Sequence, residues 1–261
     1  MEFNRVVGTR RSIRFFKSWR PVEREKLQVM FEAANRASRS MNADYFRAIV
    51  VNRDDLDAET RDALRNPTTT ADLDLAPTYI FWYIDMNYVE GAQDRLKALV
   101  DQHALSAAHG WSRAYVDDFL WPQVLEPISK DMSAVLFMGA VETGIAICNA
   151  INAAVDQGLG TCMHAFTANE TVKSLLGVPD TWFPVWLQLV GYPAEEPEAG
   201  GQRPRNPIST LFFEGHTDRP FEEDPEVTER LKREGMLQAP GPFPYRAQEV
   251  KMLSRMYGLP E

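Results

Sequence analysis

The stretch Ser133-Ala-Val-Leu-Phe-Met-Gly-Ala-Val-Glu-Thr-Gly-Ile-Ala-Ile-Cys-Asn-Ala-Ile-Asn-Ala-Ala-Val155 decides how the rest of the chain is read. It has the roughly 20 residues that a bilayer span requires. Yet Glu142, Thr143, Asn149 and Asn152 interrupt it, no aromatic or basic belt flanks it, and Gly139, Ala140, Gly144, Ala146, Ala150, Ala153 and Ala154 make it rich in small residues. A helix apolar all round but without a span's flanks is a central helix packed on several sides. No membrane partner is therefore expected.

Around this helix the chain alternates short strands and helices. Arg47 to Asn52, Thr78 to Asp85 and Phe183 to Val190 are runs of β-branched and aromatic residues closed by Asn, Asp or Gly, and read as strands. Pro21 to Ala37 carries Leu27, Met30, Phe31 and Ala34 at helical spacing, with Glu23, Arg24, Lys26 and Glu32 on other faces. Thr167-x-x-Glu170 is a capping box opening a short helix that Gly177 and Pro179 stop. Tyr88 to Lys130 is helical in pattern, with Leu96, Leu99, Val100 and His103 on one stripe and Trp111, Tyr115 and Phe119 on another; it reads as an inserted helical pair. After His216 the composition shifts to Pro, Glu and Asp, which divides the chain into a main unit, 1–216, and an extension, 217–261, that lies on a surface of its own subunit or a partner's.

The 261 residues are 44% apolar and 25% charged, which fits a globular chain of one large or two small domains. With 28 Lys+Arg against 37 Asp+Glu the formal charge is −9, the wrong balance for a chain whose main partner is nucleic acid. Two cysteines, Cys148 and Cys162, make no disulfide framework and suggest a reducing compartment. Met1-Glu2-Phe3-Asn4-Arg5 does not open a secretory signal, so a cytoplasmic protein is expected.

Against that acidic background, Phe3 to Val22 holds Arg5, Arg10, Arg11, Arg14, Lys17 and Arg20 and no carboxylate. In an extended segment Arg10, Ser12 and Arg14 share one face, presenting two guanidiniums and a hydroxyl, a set suited to phosphate. A solvated basic stripe is the plain alternative. Arg203-Pro204-Arg205 again places two guanidiniums on alternate residues, stiffened by Pro204 and Pro207.

In order and spacing, Arg10-Arg11-Ser12-Ile13-Arg14, the helix beginning Pro21-Val22, Ala37-Ser38-Arg39-Ser40-Met41-Asn42, Gly158-Leu159-Gly160-Thr161-Cys162, Leu-Gly-Val-Pro179, Gly191-Tyr192-Pro193 and Arg203-x-Arg205 resemble the FMN-dependent nitroreductase superfamily over about residues 5 to 215. The resemblance implies an α+β fold, a central mixed sheet flanked by helices, built as an intertwined homodimer. It implies one FMN at each of two sites on the subunit interface, and NAD(P)H as the hydride source. Arg10, Ser12, Arg14 and Arg205 would hold the phosphate and ribityl chain, with Arg11 and Arg203 next. Ser38, Arg39, Ser40 and Asn42 match the loop offered by the other subunit, and Gly160, Cys162, Met163 and His164 match the segment along the isoalloxazine edge. The chain departs from the family in having Ser38-Arg39 where Pro-Ser is common and Asp44-Tyr45-Phe46 where Gln-Pro-Trp is common. Some relatives place a lysine before the strand near Thr78 to face flavin N1; here Asn66 to Leu75 has none, and no residue is assigned to N1.

The residues themselves agree with a cofactor that carries its own chemistry. No nucleophile, triad or metal set is evident, and no metal is expected; His103 and His109, six apart, do not share a helical face. Gly158 and Gly160 would permit close approach to a flat ring. Cys162 has no Cys-x-x-Cys partner and reads as a small packing residue. His164 fits either a structural hydrogen bond or a contact to flavin or substrate. Trp111, Tyr115 and Phe119, and likewise Phe243 and Tyr245, are either core or stacking surfaces for a planar acceptor. The expected activity passes electrons from NAD(P)H through FMN to an electron-poor aromatic such as a nitro compound or quinone, in alternating half-reactions. Dehalogenation, enone or flavin reduction, flavin ring cleavage, and a non-catalytic phosphate-ligand-binding protein are the alternatives.

Overall fold

The computed structural model describes residues 2–65, 70–165 and 170–260. Its elements run α1 (Phe3–Thr9), α2 (Arg24–Asn35), β1 (Phe46–Asn52), α3 (Ala58–Leu64), α4 (Thr70–Leu75), β2 (Thr78–Asp85) and α5 (Ala92–Asp101). There follow α6 (Arg113–Tyr115), a π-helical stretch (Val116–Leu125), α7 (Glu126–Lys130), α8 (Met132–Asp156), β3 (Gly160–His164), α9 (Glu170–Leu176), β4 (Trp182–Gly191), α10 (Pro225–Arg233) and α11 (Arg246–Met256). Thr167 of the capping box lies outside the described residues.

The sheet has the order β1-β2-β4-β3. Every strand pairing in it is antiparallel, where a mixed sheet was expected; Ser12 joins its β3 edge through a parallel bridge to Thr161. The arginine strip is too short to add a full strand, so it lies along β3 by that bridge and by the Ile13 N–H donating to Thr161 O at 3.0 Å. β3 itself was not legible as a strand.

Both faces of the sheet are covered, which explains why β2 is an unbroken apolar run and is buried from Thr78 through Ile84. Tyr79, Phe81, Tyr83, Leu187 and Leu189 face a core closed by Leu64, Leu73, Leu75 and Val172 from α3, α4 and α9. Ile80, Trp82 and Val190 face the other core, closed by Met30 and Ala34 of α2 and Ala146, Ile147, Ala150 and Ala154 of α8. Buried Trp82 donates from Nε1 to Gln188 Oε1 at 2.9 Å. Pro184 is tolerated in β4 because the ladder shifts register opposite it, between Trp82 and Tyr83.

α8, expected to be a central helix packed on several sides, is packed on one face within this chain. It is, among the described residues, the one helix long and apolar enough to cross a membrane, with a mean hydropathy of 1.8, but α2 and the sheet seat one face of it in the core. The opposite face leaves Phe137, Val141 and Ile145 at 70%, 52% and 41% exposed. These are i, i+4 and i+8 and form one stripe.

The extension does not separate cleanly at His216. Leu211, Phe212, Phe213 and Phe221 are exposed on an outlying arm. The chain then returns: Gln202 bridges to Pro240, Leu253 of α11 is 1% exposed, and the Tyr257 hydroxyl donates to Phe16 O at 2.7 Å.

Arg11 fastens this return. Burial, then repulsion from nearby arginines, lowers its pKa, and all three of its guanidinium nitrogens donate hydrogen bonds. Nε donates to Glu198 O and Gly201 O, both at 3.1 Å, Nη1 to Gly8 O at 2.6 Å and Arg10 O at 2.9 Å, and Nη2 to Gln238 Oε1 at 2.7 Å. Arg11→Ala strands several buried carbonyls and is expected to cost about 3 kcal/mol. The measurement is the urea midpoint; an unchanged midpoint removes Arg11 from the fold's supports.

Candidate functional site

The site begins with the strip's alternation. Arg11 and Ile13 point into the protein, while Arg10, Ser12 and Arg14 point outward. Gly160 is required here for the protein's own packing, because a Cβ would stand 2.7 Å from Ile13 Cγ1, and Gly158, at φ +75°, ends α8. The close approach expected of these glycines toward a ring is thus taken up by Ile13 and by the helix end.

Glu195 holds the strip from behind. Its side chain is fully buried; Oε1 accepts the Arg14 N–H at 2.6 Å and the Phe15 N–H at 3.0 Å, and Oε2 accepts Arg246 Nη2 at 2.6 Å. Read as sequence, Pro193-Ala-Glu-Glu-Pro looks like a solvated acidic turn, so this role had no local signal.

Positive charge gathers on the outward side. After burial, the like charges of Arg10, Arg203 and Arg205 push the Arg11 pKa down against the opposing pull of Glu198, so these three arginines act on Arg11 together with one carboxylate. Arg11 is the correction to the expected phosphate set, since its donors are spent on carbonyls. Arg203 spends one donor on Ala199 O at 3.0 Å, and exposed Arg205 bonds only Pro204 O, at 3.1 Å, among the described side-chain hydrogen bonds.

Asp72 of α4 is a residue that sequence reading missed. Its Oδ2 stands 3.3 Å from His164 Nε2, 3.9 Å from Cys162 Sγ and 4.0 Å from Arg14 Nε. Asp72, Cys162 and His164 form, among the described residues, a group whose ligand-type atoms lie within 4.8 Å of one another. Burial, then the Asp72 charge, pushes the Cys162 thiol up to about 11, so it is an uncharged packing group rather than a thiolate. Met163, on the opposite face of β3, packs into the α2–α8 core.

Ser38 to Asn42 stands elsewhere. The loop enters β1 at Phe46, which pairs with Ile84 and through it with Phe183, whereas Thr161 of β3 pairs with Val190 and through it with Thr78. The loop and the arginine strip therefore occupy diagonal corners of one sheet, and a single chain does not bring them together. Ser38, Ser40 and Asn42 are exposed, and Met41 and Asn42 adopt positive φ of 58° and 49°. Arg39 corrects the expectation for this loop, because it is folded back onto Asp44 Oδ1 at 3.0 Å and Asn35 O at 2.7 Å. Glu142 of α8 fixes the turn by accepting the Ser40 N–H at 2.9 Å; burial raises its pKa.

The aromatic candidates divide in two. Trp111, Tyr115 and Phe119 form a ladder with ring centroids 5.5 and 5.6 Å apart, and Tyr115 and Phe119 remain 36% and 51% exposed. Phe243 and Tyr245 pair at 5.6 Å, with Phe243 against Gly201. Tyr245 borders a cavity of about 1090 Å³ on the Arg11 and Ile13 side of the strip. Glu195, Glu196, Glu198 and Glu249 line that cavity together with Arg5, Arg11 and Lys17.

Comparison with known proteins matches this architecture. The family model described as Nitroreductase family matches residues 7–192. An NADPH-dependent oxidoreductase of Staphylococcus aureus (strain USA300) is 24% identical over 221 residues, covering 82% of this chain and 74% of that protein. A nitroreductase family protein of Streptococcus pneumoniae TIGR4 superposes with a TM-score of 0.63 at 19% identity, over 82% of this chain and all of that one. A protein of Exiguobacterium sibiricum 255-15, described as a nitroreductase and solved in complex with FMN, gives 0.64 at 19% identity, over 81% and 96%.

Proposed function

The chain belongs to the nitroreductase family, and from that premise we propose that it is an FMN-dependent oxidoreductase that takes electrons from NAD(P)H and passes them to an electron-poor aromatic such as a nitro compound or quinone. One observation carries the cofactor assignment: Arg10, Ser12 and Arg14 share the outward face of a strip pinned to β3, and Arg203 and Arg205 act electrostatically on Arg11 of the same strip. A dianionic phosphate is the group that relieves this concentration of guanidiniums. The buried, unpartnered Nε2 of His164 beside the strip also fits a ligand with polar groups beyond its phosphate.

When bound, FMN supplies the hydride and electron chemistry, which is why no nucleophile is needed. Arg10, Arg14 and Arg205 hold the phosphate, Ser12 adds a hydroxyl, and Glu195 fixes the backbone from which Arg14 projects. Ser38, Ser40 and Asn42 come from the second subunit of a homodimer, and the exposed stripe of α8 with the arm around Phe212 supplies the interface. The Trp111–Tyr115–Phe119 ladder offers a planar surface that sets acceptor choice. We place the enzyme in the cytoplasm, with no nucleic acid or membrane partner.

The test is direct. The purified protein is expected to be yellow and to release FMN on heating. Stopped-flow is expected to resolve reduction by NAD(P)H from oxidation by the acceptor, with Trp111→Ala changing the second rate severalfold more than the first. A colourless protein that binds no FMN overturns the reading, and equal losses in both half-reactions remove the ladder from acceptor choice.

A further inference from the structure

We propose that Asp72 is a positioning residue of the cofactor site, holding Arg14 and His164 side by side so that the guanidinium and the buried imidazole edge meet the same bound flavin nucleotide. The inference rests on the FMN reading above and assigns roles that the arginine motif does not contain.

Three elements converge on one oxygen. Asp72 comes from α4, Arg14 from the N-terminal strip, and Cys162 and His164 from alternate positions of β3. The contacts to Asp72 Oδ2 are 3.3 Å for His164 Nε2, 3.9 Å for Cys162 Sγ and 4.0 Å for Arg14 Nε. The Asp72 and His164 side chains are each 10% exposed, while that of Arg14 is 53% exposed. A carboxylate buried to this extent persists only with a charged or hydrogen-bonding partner. Arg14 is that cation here, yet its reach leaves half of its own side chain open to a ligand.

His164 supplies the second observation. Its Nε2 is buried and, among the described residues, makes no hydrogen bond, although Asp72 Oδ2 stands 3.3 Å away. Buried polar atoms are ordinarily satisfied, and an exception calls for a ligand or a water. The Arg14 side chain reaches the same Asp72 oxygen that His164 Nε2 approaches, so the guanidinium and the imidazole stand side by side on one carboxylate. Cys162 contributes a weak S–H donor to Asp72 and, as a neutral thiol, no redox chemistry.

Electrostatics gives the role a readout independent of turnover. The charged groups facing this point are Asp72, Arg14 and, behind the strip, Glu195. A carboxylate at the site opposes added negative charge on a bound ligand, so it weakens reduced FMN relative to oxidised FMN. Asp72→Asn keeps the shape and removes the charge. It is expected to raise the ratio of reduced to oxidised FMN affinity about tenfold, which for a two-electron couple is a positive shift of about 30 mV in the bound potential. His164→Leu is expected to lower the affinity for oxidised FMN about tenfold, with His164→Gln recovering part of the loss.

The experiment measures FMN affinity by fluorescence quenching and bound potential by dye equilibration for wild type, Asp72→Asn, His164→Leu and His164→Gln. A parallel arm titrates the FMN-free wild type and Cys162→Ser with Zn²⁺ alone. Wild type that binds FMN, with the variants shifted as stated, supports the assignment. Asp72→Asn and His164→Leu indistinguishable from wild type in both quantities overturn it while leaving the FMN reading intact. If Asp72→Asn does not fold, the two His164 variants decide the matter by the same criterion. Stoichiometric Zn²⁺ binding that is lost in Cys162→Ser and competes with FMN overturns it in favour of a metal site. Wild type that binds no FMN overturns both readings together.

Discussion

Arg14→Ala combined with Arg205→Ala is expected to yield a folded protein that purifies without FMN. A hydrogen bond to a charged group contributes about 1.5 to 3 kcal/mol. Two such losses weaken binding by roughly 10² to 10⁴-fold. Both side chains project from the surface: Arg14 donates to Ser12 O at 3.3 Å and stands 4.0 Å from Asp72 Oδ2, and Arg205 bonds only Pro204 O, at 3.1 Å, among the described side-chain hydrogen bonds. The comparison with Arg11 makes the result interpretable. Arg11 lies one residue from Arg10 and belongs to the same charge cluster, but its change acts on stability, because five acceptor atoms on three segments depend on it. Flavin content after gel filtration, read with the urea midpoint of each variant, separates the two roles. A double variant that retains a full complement of FMN after dilution places the phosphate elsewhere.

That contrast also shows where reading the sequence succeeds and where it stops. Alternation along Arg10 to Arg14 was legible, and it correctly sets Arg10, Ser12 and Arg14 on one face because an extended strip has a period of two. The same alternation turns Arg11 inward, so ranking it with the phosphate ligands ran against the geometry that grouped the other three. β1, β2 and β4 were legible as runs of β-branched and aromatic residues, with ends within one residue of those found. β3 was not, because Gly160-Thr-Cys-Met-His164 is a short edge strand whose pairing with β4 supplies what its composition lacks. Asp72 and Glu195 carried no local mark at all. Each is an acidic residue in a polar stretch, and its role exists only because the fold sets it against Arg14 from another element.

The stripe on α8 carries the second large effect. Val141→Arg is expected to convert a dimer into a monomer that holds no FMN. Val141 sits between Phe137 and Ile145 on a face that the chain itself leaves open, and Gly144 beside them has nothing within 4 Å of the position a Cβ would take. Each large apolar side chain fully removed from water contributes about 1.5 to 3 kcal/mol, and Leu211, Phe212 and Phe213 on the arm, at 57%, 58% and 45% exposed, add to the same reserve. Large exposed apolar patches are characteristic of interaction sites, and obligate dimers bury roughly 2,000 Å² or more. A guanidinium at Val141 would be desolvated twice, once from each subunit, without a carboxylate on the stripe to meet it. The expected loss of FMN follows from the diagonal separation of Ser38–Asn42 and the arginine strip, since in the proposed homodimer a second copy would bring the loop of one chain to the strip of the other. Light scattering and flavin content at micromolar protein test both halves. A Val141→Arg protein that remains dimeric with full FMN removes the stripe from the interface, while a monomer that keeps its FMN shows that one chain completes the site and that the loop's exposed Ser38, Ser40 and Asn42 have no part in it.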